Sequence, residues 1–492
     1  MPSESPVPSE LGHFIAGRSV RGGPRTFDVL APATGVLLAT VDEAGASEVD
    51  AAVDGARDAA DQWARTRANS KIARMNRWAE AISEHRDELA MLESVESGKP
   101  LVMCTALVAA AAARIRNAGG WIDKLRSAKI PVDPDVLCYT EHEPYGVVGA
   151  IIPWNFPAGN FVGKVAPAIA AGNSVVVKPA EQTPLVAMRL AQLSEGAGFP
   201  LGLISVVNGM GPSTGSLLVA HPDVKKITFT GSSATGLELT RSTGSVLKSF
   251  TLELGGKSAN IVMPDADLDA CVQSAAYTAF LHAGQVCTSG SRLLVHADIA
   301  EEFIARLVDR ARSLTVGDPL DPATHVGPVI TRAQLAQIEE KVATAIVEGA
   351  RLVTGGRRLH PAGLEGGNYF EPTIFADVKT TDSLFTTEVF GPVLAVTTFA
   401  DLEEAISLAN ATDYGLAAMI WTSDLATAHV AARRLRAGII WVNTAQLLDN
   451  AVPYGGYRQS GVGLESGLEG ILDYTQSKSV FMNTAPWRSP WQ

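Results

Sequence analysis

Residues 146–160 read GVVGAIIPWNFPAGN: a short apolar run that stops at a proline and gives way to a polar turn. Three more such runs follow, NSVVVKP at 173–179, LISVVNG at 203–209 and KKITFTGS at 225–232. Each is four to eight residues long in its apolar core at most, bounded by Gly, Pro or Asn, and each precedes a segment of helical pattern. Strands alternating with helices in this way imply a mostly parallel sheet covered on both faces, an α/β fold. SFTLELGGKSANIVM, 249–263, adds two strand-like runs interrupted by Gly255-Gly256. The alternation then resumes with a helix over about 266–283, a strand at SRLLVHA (291–297) and a helix over 299–313. This second α/β region runs to about residue 455.

Upstream of the first strand the pattern differs. Residues 1–30 are rich in Pro, Gly and Ser and read as extended. Residues 46–94 carry apolar residues at helical spacing, and a second helix covers about 101–125. PVDPDVLCYTEHEP, 131–144, alternates between prolines and reads as an extended arm, and ILDYTQSKSVFMN, 471–483, reads as a strand. The most apolar segment, ALVAAAAARI at 106–115, is too short to span a bilayer and runs into Arg114 and Arg116, so a buried helix is expected.

Composition bounds the function. The chain has 492 residues, 46% hydrophobic and 19% charged, which suits a globular protein of more than one domain. A formal charge of −12 repels nucleic acid phosphates, so no nucleic acid partner is expected, and no membrane partner either. Four cysteines make no disulfide framework, and the N-terminus lacks a secretory pattern, so a reducing, cytoplasmic setting is expected.

Five segments carry chemistry. HAGQVCTSGSR, 282–292, sets Cys287 among small residues that leave backbone N–H groups open to a substrate. The alternative there is a packed structural thiol, which suits Cys104 and Cys271 in their apolar helical patterns. TLELGGK, 251–257, sets Glu253 between leucines, where apolar neighbours raise a carboxyl pKa toward that of a general base; a solvent-facing glutamate is the alternative. Asn155, between Pro153 and Pro157, offers an amide to a developing oxyanion, or is a turn asparagine. KITFTGSSATG, 226–236, ends a strand and opens a helix at Gly231 and Ser232, a place for a pyrophosphate. Nearby, VVVKPAEQTP (175–184) puts Lys178 and Glu181 at a strand end, within reach of ribose hydroxyls or as a solvated ion pair. TTEVFGPVL, 386–394, puts Glu388 and Phe390 on one side of a strand, as a nucleoside clamp or as a surface glutamate and a core phenylalanine.

Taken in order, these segments resemble the aldehyde dehydrogenase superfamily, and the likeness extends to PYGGYRQSGVG at 453–463. The resemblance implies a Rossmann-like cofactor domain (1–125 and 145–255), a second α/β catalytic domain (256–455), and a small β arm with the C-terminal tail (126–144 and 471–492) that joins subunits into a homodimer or homotetramer. It implies an aldehyde substrate oxidised to the acid with NAD, or with NADP, and no metal. Cys287 matches the nucleophile, Glu253 the base and Asn155 the oxyanion donor. Ile151, Trp154, Lys178, Glu181, Gly211, Gly231, Ser232, Leu254, Glu388 and Phe390 match cofactor contacts, and Lys164 matches a lysine near the active site.

Departures from the family pattern bear on the substrate. Val286 precedes the nucleophile, and His282 stands where an asparagine is frequent; a helix-end histidine capping carbonyls is expected for it. Gly163 replaces a bulkier, often aromatic, side chain, which argues against a quaternary ammonium substrate and would widen the substrate tunnel. With Phe156, Val286 and Leu447 or Leu448, it predicts an apolar tunnel without a charged anchor and a medium or bulky hydrophobic aldehyde. A CoA-acylating enzyme is disfavoured because Glu253 is present. A catalytically silent relative is disfavoured because Cys287, Glu253 and Asn155 are all retained.

Overall fold

The strand runs of the sequence pair side by side. In the computed structural model, which describes residues 7–243 and 246–491, Val147–Ile151, Ser174–Lys178, Ile204–Val206, Val224–Thr230 and Ser249–Glu253 lie parallel in one eight-stranded sheet. Register aligns Ile151 with both Lys178 and Phe229, and Thr230 with Glu253. Three candidate residues, Ile151, Lys178 and Glu253, therefore stand at the same edge, the carboxyl end, where open α/β sheets bind ligands. Segments from the N-terminal and C-terminal parts of the chain also join this sheet. His13–Ile15 and Arg18–Val20 extend one side, and Gly461–Val462 pairs antiparallel with the other, setting Gly461 opposite Glu253.

Helices cover the sheet. The expected helical stretch over 46–94 forms three helices, α1 (Ala46–Ala64), α2 (Ala68–Glu84) and α3 (Arg86–Ser97). Gly98 ends α3 in the left-handed conformation (φ 74°), which only glycine adopts without strain. The next helix, α4, spans Leu101–Trp121. Its 21 residues are long and apolar enough to cross a membrane, which corrects the expectation drawn from 106–115 alone. It instead packs along α2, α3 and α5 (Pro157–Ala170), burying Cys104, Val108, Ala111, Ile115 and Ala118 on one stripe. Two tryptophans lock this layer. The Trp63 indole donates to the Ile169 carbonyl at 2.8 Å, and the Trp78 indole to that of Leu190 at 3.1 Å, so neither leaves a buried donor unpaired.

A second, seven-stranded sheet has the order Arg351–Thr354, Thr373–Ala376, Val393–Phe399, Arg292–His296, Ala259–Val262, Ala417–Trp421, Ile439–Val442, parallel except at its first pair. It has its own buried cluster, separate from those of the first sheet. The arm is a three-stranded antiparallel sheet in which Lys129–Asp133 and Thr475–Asn483 flank Val136–Pro144. The tail strand begins later than its sequence suggested, because residues up to Leu472 belong to the helix Gly467–Leu472.

Replacing Trp63 with alanine removes a fully buried ring and its hydrogen bond and should cost about 3–5 kcal/mol. Thermal unfolding of this variant should begin well below that of the parent; an unchanged midpoint would contradict the packing described.

Candidate active site

Cys287 sits in a turn just before the strand Arg292–His296, and the three cysteines at 104, 138 and 271 are buried. Its Sγ lies 3.5 Å from the Tyr454 hydroxyl. Burial pushes the thiol up to about 11, against the pull of that hydroxyl. Tyr454 is itself pushed well above its ordinary value, by burial first and by Cys287 next, so it keeps its proton and can donate to the sulfur once Cys287 is a thiolate. Next in the turn, Thr288 is clamped from both sides by Gln446: its hydroxyl donates to Oε1 at 2.8 Å, and its carbonyl accepts from Nε2 at 3.1 Å.

Asn155 follows the first strand and is buried. One amide hydrogen goes to the carbonyl of Gln285 at 2.9 Å, two residues before Cys287. A side-chain amide has a second hydrogen, so the bond fixes the group and leaves a donor for an oxyanion. Gln285 is anchored in turn, its side chain donating to the His282 carbonyl at 3.0 Å and accepting from the Ile330 N–H at 2.9 Å.

Glu253 is 3% exposed, and neither carboxylate oxygen has a hydrogen-bond partner among the described residues. Burial raises its pKa well above the ordinary carboxyl value, and Glu465 adds to the rise. Such an unpaired buried carboxyl is a candidate for proton transfer. Glu465 reaches this place because its N–H and carbonyl both pair with Tyr454, at 2.7 Å each. Its carboxylate holds Lys164 Nζ at 2.5 Å, and Lys164 also donates to Thr228 at 3.1 Å.

Gly255 and Gly256 carry the chain from the first sheet to the second, and each admits a neighbour. A methyl group on Gly255 would stand 2.2 Å from Glu388 Oε2, and one on Gly256 would stand 2.5 Å from the Cys287 carbonyl oxygen. Glu388 accepts from the Gly256 N–H at 3.0 Å, and burial pushes its carboxyl up to about 7. Phe390 meets the edge of Trp154 at 5.3 Å. Glu388 and Phe390 lie in the loop between Ser383–Thr386 and Val393–Phe399, which corrects the strand placement expected for them; Phe390 has φ 53°.

The carboxyl edge of the first sheet forms a cradle that fits a dinucleotide. Lys178 Nζ holds Glu181 at 3.1 Å, and burial lowers the pKa of the lysine. Ser232 caps the helix Ser233–Arg241 by accepting from the Thr235 N–H, with Gly231 just before it; a side chain at Gly231 would run into the Phe229 ring. The Leu254 side chain fills the space left at Gly236. Gly211 opens a turn whose Ser213 donates to Glu43, a carboxylate that acts on Lys178.

Three expectations require correction. His282 caps no carbonyl: the helix ends at Phe280, His282 has φ 48°, and both ring nitrogens are buried beside Phe156 and Trp154 with no hydrogen-bond partner among the described residues. Burial holds the imidazole far below its ordinary pKa, and so neutral. Gly163 does not widen a tunnel. A methyl group there would stand 2.7 Å from Arg114 Nη1, so the space is filled by a guanidinium, and the site has a cation where none was expected. Leu447 and Leu448 are exposed, on the same loop as Gln446. Tyr454, Gln446, Glu465 and Arg114 were missed; only Tyr454, ahead of a double glycine, had any local signal.

Residues 20–480 match the model of the aldehyde dehydrogenase family. This chain belongs to the aldehyde dehydrogenase family. An aldehyde dehydrogenase of Enchytraeus buchholzi is 44% identical over 94% of this family member and 93% of its own length. A mitochondrial benzaldehyde dehydrogenase of Antirrhinum majus is 42% identical over 95% and 87%. The crystal structure of Staphylococcus aureus betaine aldehyde dehydrogenase in complex with NAD+ superposes with a TM-score of 0.95, at 36% identity, covering 98% of this family member and 96% of that chain.

Alkylation of Cys287 by iodoacetamide without cofactor should rise with pH toward a midpoint near 11, the thiolate being the reactive form. Tyr454→Phe removes the hydroxyl that lowers the thiol, so the midpoint should move higher and alkylation at pH 8 should slow. A faster or unchanged Tyr454→Phe reaction would contradict that hydrogen bond.

Proposed function

We propose that this chain oxidises an aldehyde to the carboxylic acid through a covalent adduct on Cys287, with NAD as cofactor. The observation that carries the reading is the meeting of a thiol, an amide with a spare hydrogen and an unpartnered buried carboxyl around one turn. The Cys287 thiolate attacks the carbonyl carbon. The Asn155 amide takes the oxyanion, with the Cys287 N–H as second donor. The cofactor, when bound, supplies the hydride acceptor. Once the adduct is a thioester, Glu253 takes a proton from water, the water oxygen bonds to the thioester carbon, the C–S bond breaks with the sulfur leaving as thiolate, and the acid is released.

Lys178, Glu181, Gly211, Gly231, Ser232 and Leu254 would hold the adenosine and pyrophosphate side, and Ile151, Trp154, Glu388 and Phe390 the nicotinamide side. The pairing of Lys178 with Glu181 supports NAD over NADP, since the carboxylate occupies the lysine and repels a 2′-phosphate. The NAD+ held by the structurally similar betaine aldehyde dehydrogenase supports the same choice.

For the substrate, the half-buried Phe156 and Trp154 and the buried Val286 support a medium or bulky hydrophobic aldehyde. The benzaldehyde dehydrogenase relative supports an aromatic one. Two cations disfavour a quaternary ammonium group: Lys99 Nζ lies 4.5 Å from the Phe156 ring centroid, and Arg114 fills the space at Gly163. The exposed Phe481, Met482 and Val132 of the arm support its burial against a second copy in a homodimer or homotetramer, and the unpaired cysteines support a cytoplasmic setting.

Steady-state kcat/KM should be higher with NAD than with NADP, and higher for benzaldehyde or hexanal than for betaine aldehyde or succinic semialdehyde. A clear NADP preference would overturn the cofactor choice, and a betaine or succinic semialdehyde optimum the substrate class.

A further inference from the structure

Glycine inside a buried helix costs stability relative to alanine, so a mid-helix glycine such as Gly163 of α5 has a packing reason. The reason here is Arg114 of α4. A Cβ at Gly163 would stand 2.7 Å from Nη1, 2.9 Å from Cζ and 3.2 Å from Nη2. The guanidinium thus occupies the place of a side chain at Gly163, and any larger residue there would have to displace it. Its Nη2 donates to the Ser466 hydroxyl at 2.8 Å and faces Glu465 Oε2 at 3.8 Å. The other oxygen of Glu465 holds Lys164. Ser466 itself has φ 60°, a strained conformation that presents its hydroxyl to Arg114.

We propose that Arg114 is a positioning residue for the hydrolytic half-reaction: by sharing Glu465 with Lys164, it supplies the second positive charge that lets Glu253 ionise beside another carboxylate. The proposal rests on the reading of Glu253 as the base. With Arg114 and Lys164 both present, the cluster of Glu253, Glu465, Lys164 and Arg114 is neutral when Glu253 is ionised. Without Arg114 an ionised Glu253 would leave it net negative, which favours the protonated form of Glu253. The charged groups acting on Glu253 are Arg114 from α4, Lys164 from α5, and Glu465 and Asp473 from the C-terminal segment. Cys287 and Tyr454 are neutral at pH 7, and Asp473 is itself paired with Lys226 at 3.1 Å. In the step concerned, Glu253 removes one proton from water, the water oxygen bonds to the thioester carbon, and the sulfur leaves as thiolate.

The test needs no cofactor. p-Nitrophenyl acetate acylates the same thiol, release of nitrophenolate reports acylation, and intact-protein mass reports decay of the acetyl-enzyme. Arg114→Met should acylate at close to the parent rate. Its acetyl-enzyme should decay about tenfold more slowly at pH 7, with the midpoint of decay against pH raised by about one unit. Removing a positive charge stabilises the protonated acid, so the shift is upward. Arg114→Lys should restore part of the rate, and Gly163→Ala, which displaces the guanidinium, should reproduce part of the loss. In a Glu253→Gln background, Arg114→Met should slow decay no further.

Acylation and decay slowed equally, with the parent midpoint, would mean a merely structural role and overturn the proposal. So would decay at the parent rate and midpoint while Glu253→Gln is slow. Glu253→Gln decaying at the parent rate would instead overturn the assignment of Glu253, and the proposal with it.

Discussion

Gly255 and Gly256 lack the two side chains that would keep the halves of the molecule apart, and the site depends on that absence. On one side of the pair the Glu388 carboxylate comes to where a Cβ of Gly255 would be; on the other the Cys287 carbonyl comes to where that of Gly256 would be. The strand before the pair ends in Glu253, and the strand after it, Ala259–Val262, lies beside the strand that follows Cys287. One short crossing therefore ties the candidate base to the first sheet and the candidate nucleophile to the second. Any larger residue there would move one relative to the other, and small displacements of reacting groups carry large rate costs.

The environments of the titrating groups divide the labour. Burial raises Cys287, Glu253 and Glu388, so at neutral pH Cys287 and Glu253 tend to hold their protons while Glu388, pushed up to about 7, is part ionised. Glu253 differs from the others in lacking any hydrogen-bond partner while having two cations within electrostatic reach. That combination keeps a carboxyl protonatable yet able to ionise, which hydrolysis of a thioester demands.

The strands, their order and the five motif segments were legible because each is local. Apolar runs ending at Gly or Pro fix strand ends, and parallel pairing then carries Ile151, Lys178, Thr230 and Glu253 to one edge. What was not legible arrives through contacts between distant segments. Arg114 meets Gly163 and Ser466, and Tyr454 meets Cys287, across separations that no local pattern encodes. Gly163 shows the difficulty well: a missing side chain reads as open space in a sequence, whereas the fold filled it with a cation from another helix. His282 failed for a different reason. Its helix unwinds into left-handed geometry over His282, Ala283 and Gly284, where the chain passes close to Gly391, and helical periodicity gives no warning of that.

If an acyl group is carried on Cys287 and released by Glu253, blocking release should trap it, and intact-protein mass spectrometry after incubating Glu253→Gln with benzaldehyde and NAD+ would detect it. A stable adduct of one benzoyl group per chain should appear, localised to Cys287 by peptide mapping and absent from Cys287→Ala. Accumulation of free benzoate at the parent rate with no adduct on Cys287 would contradict it.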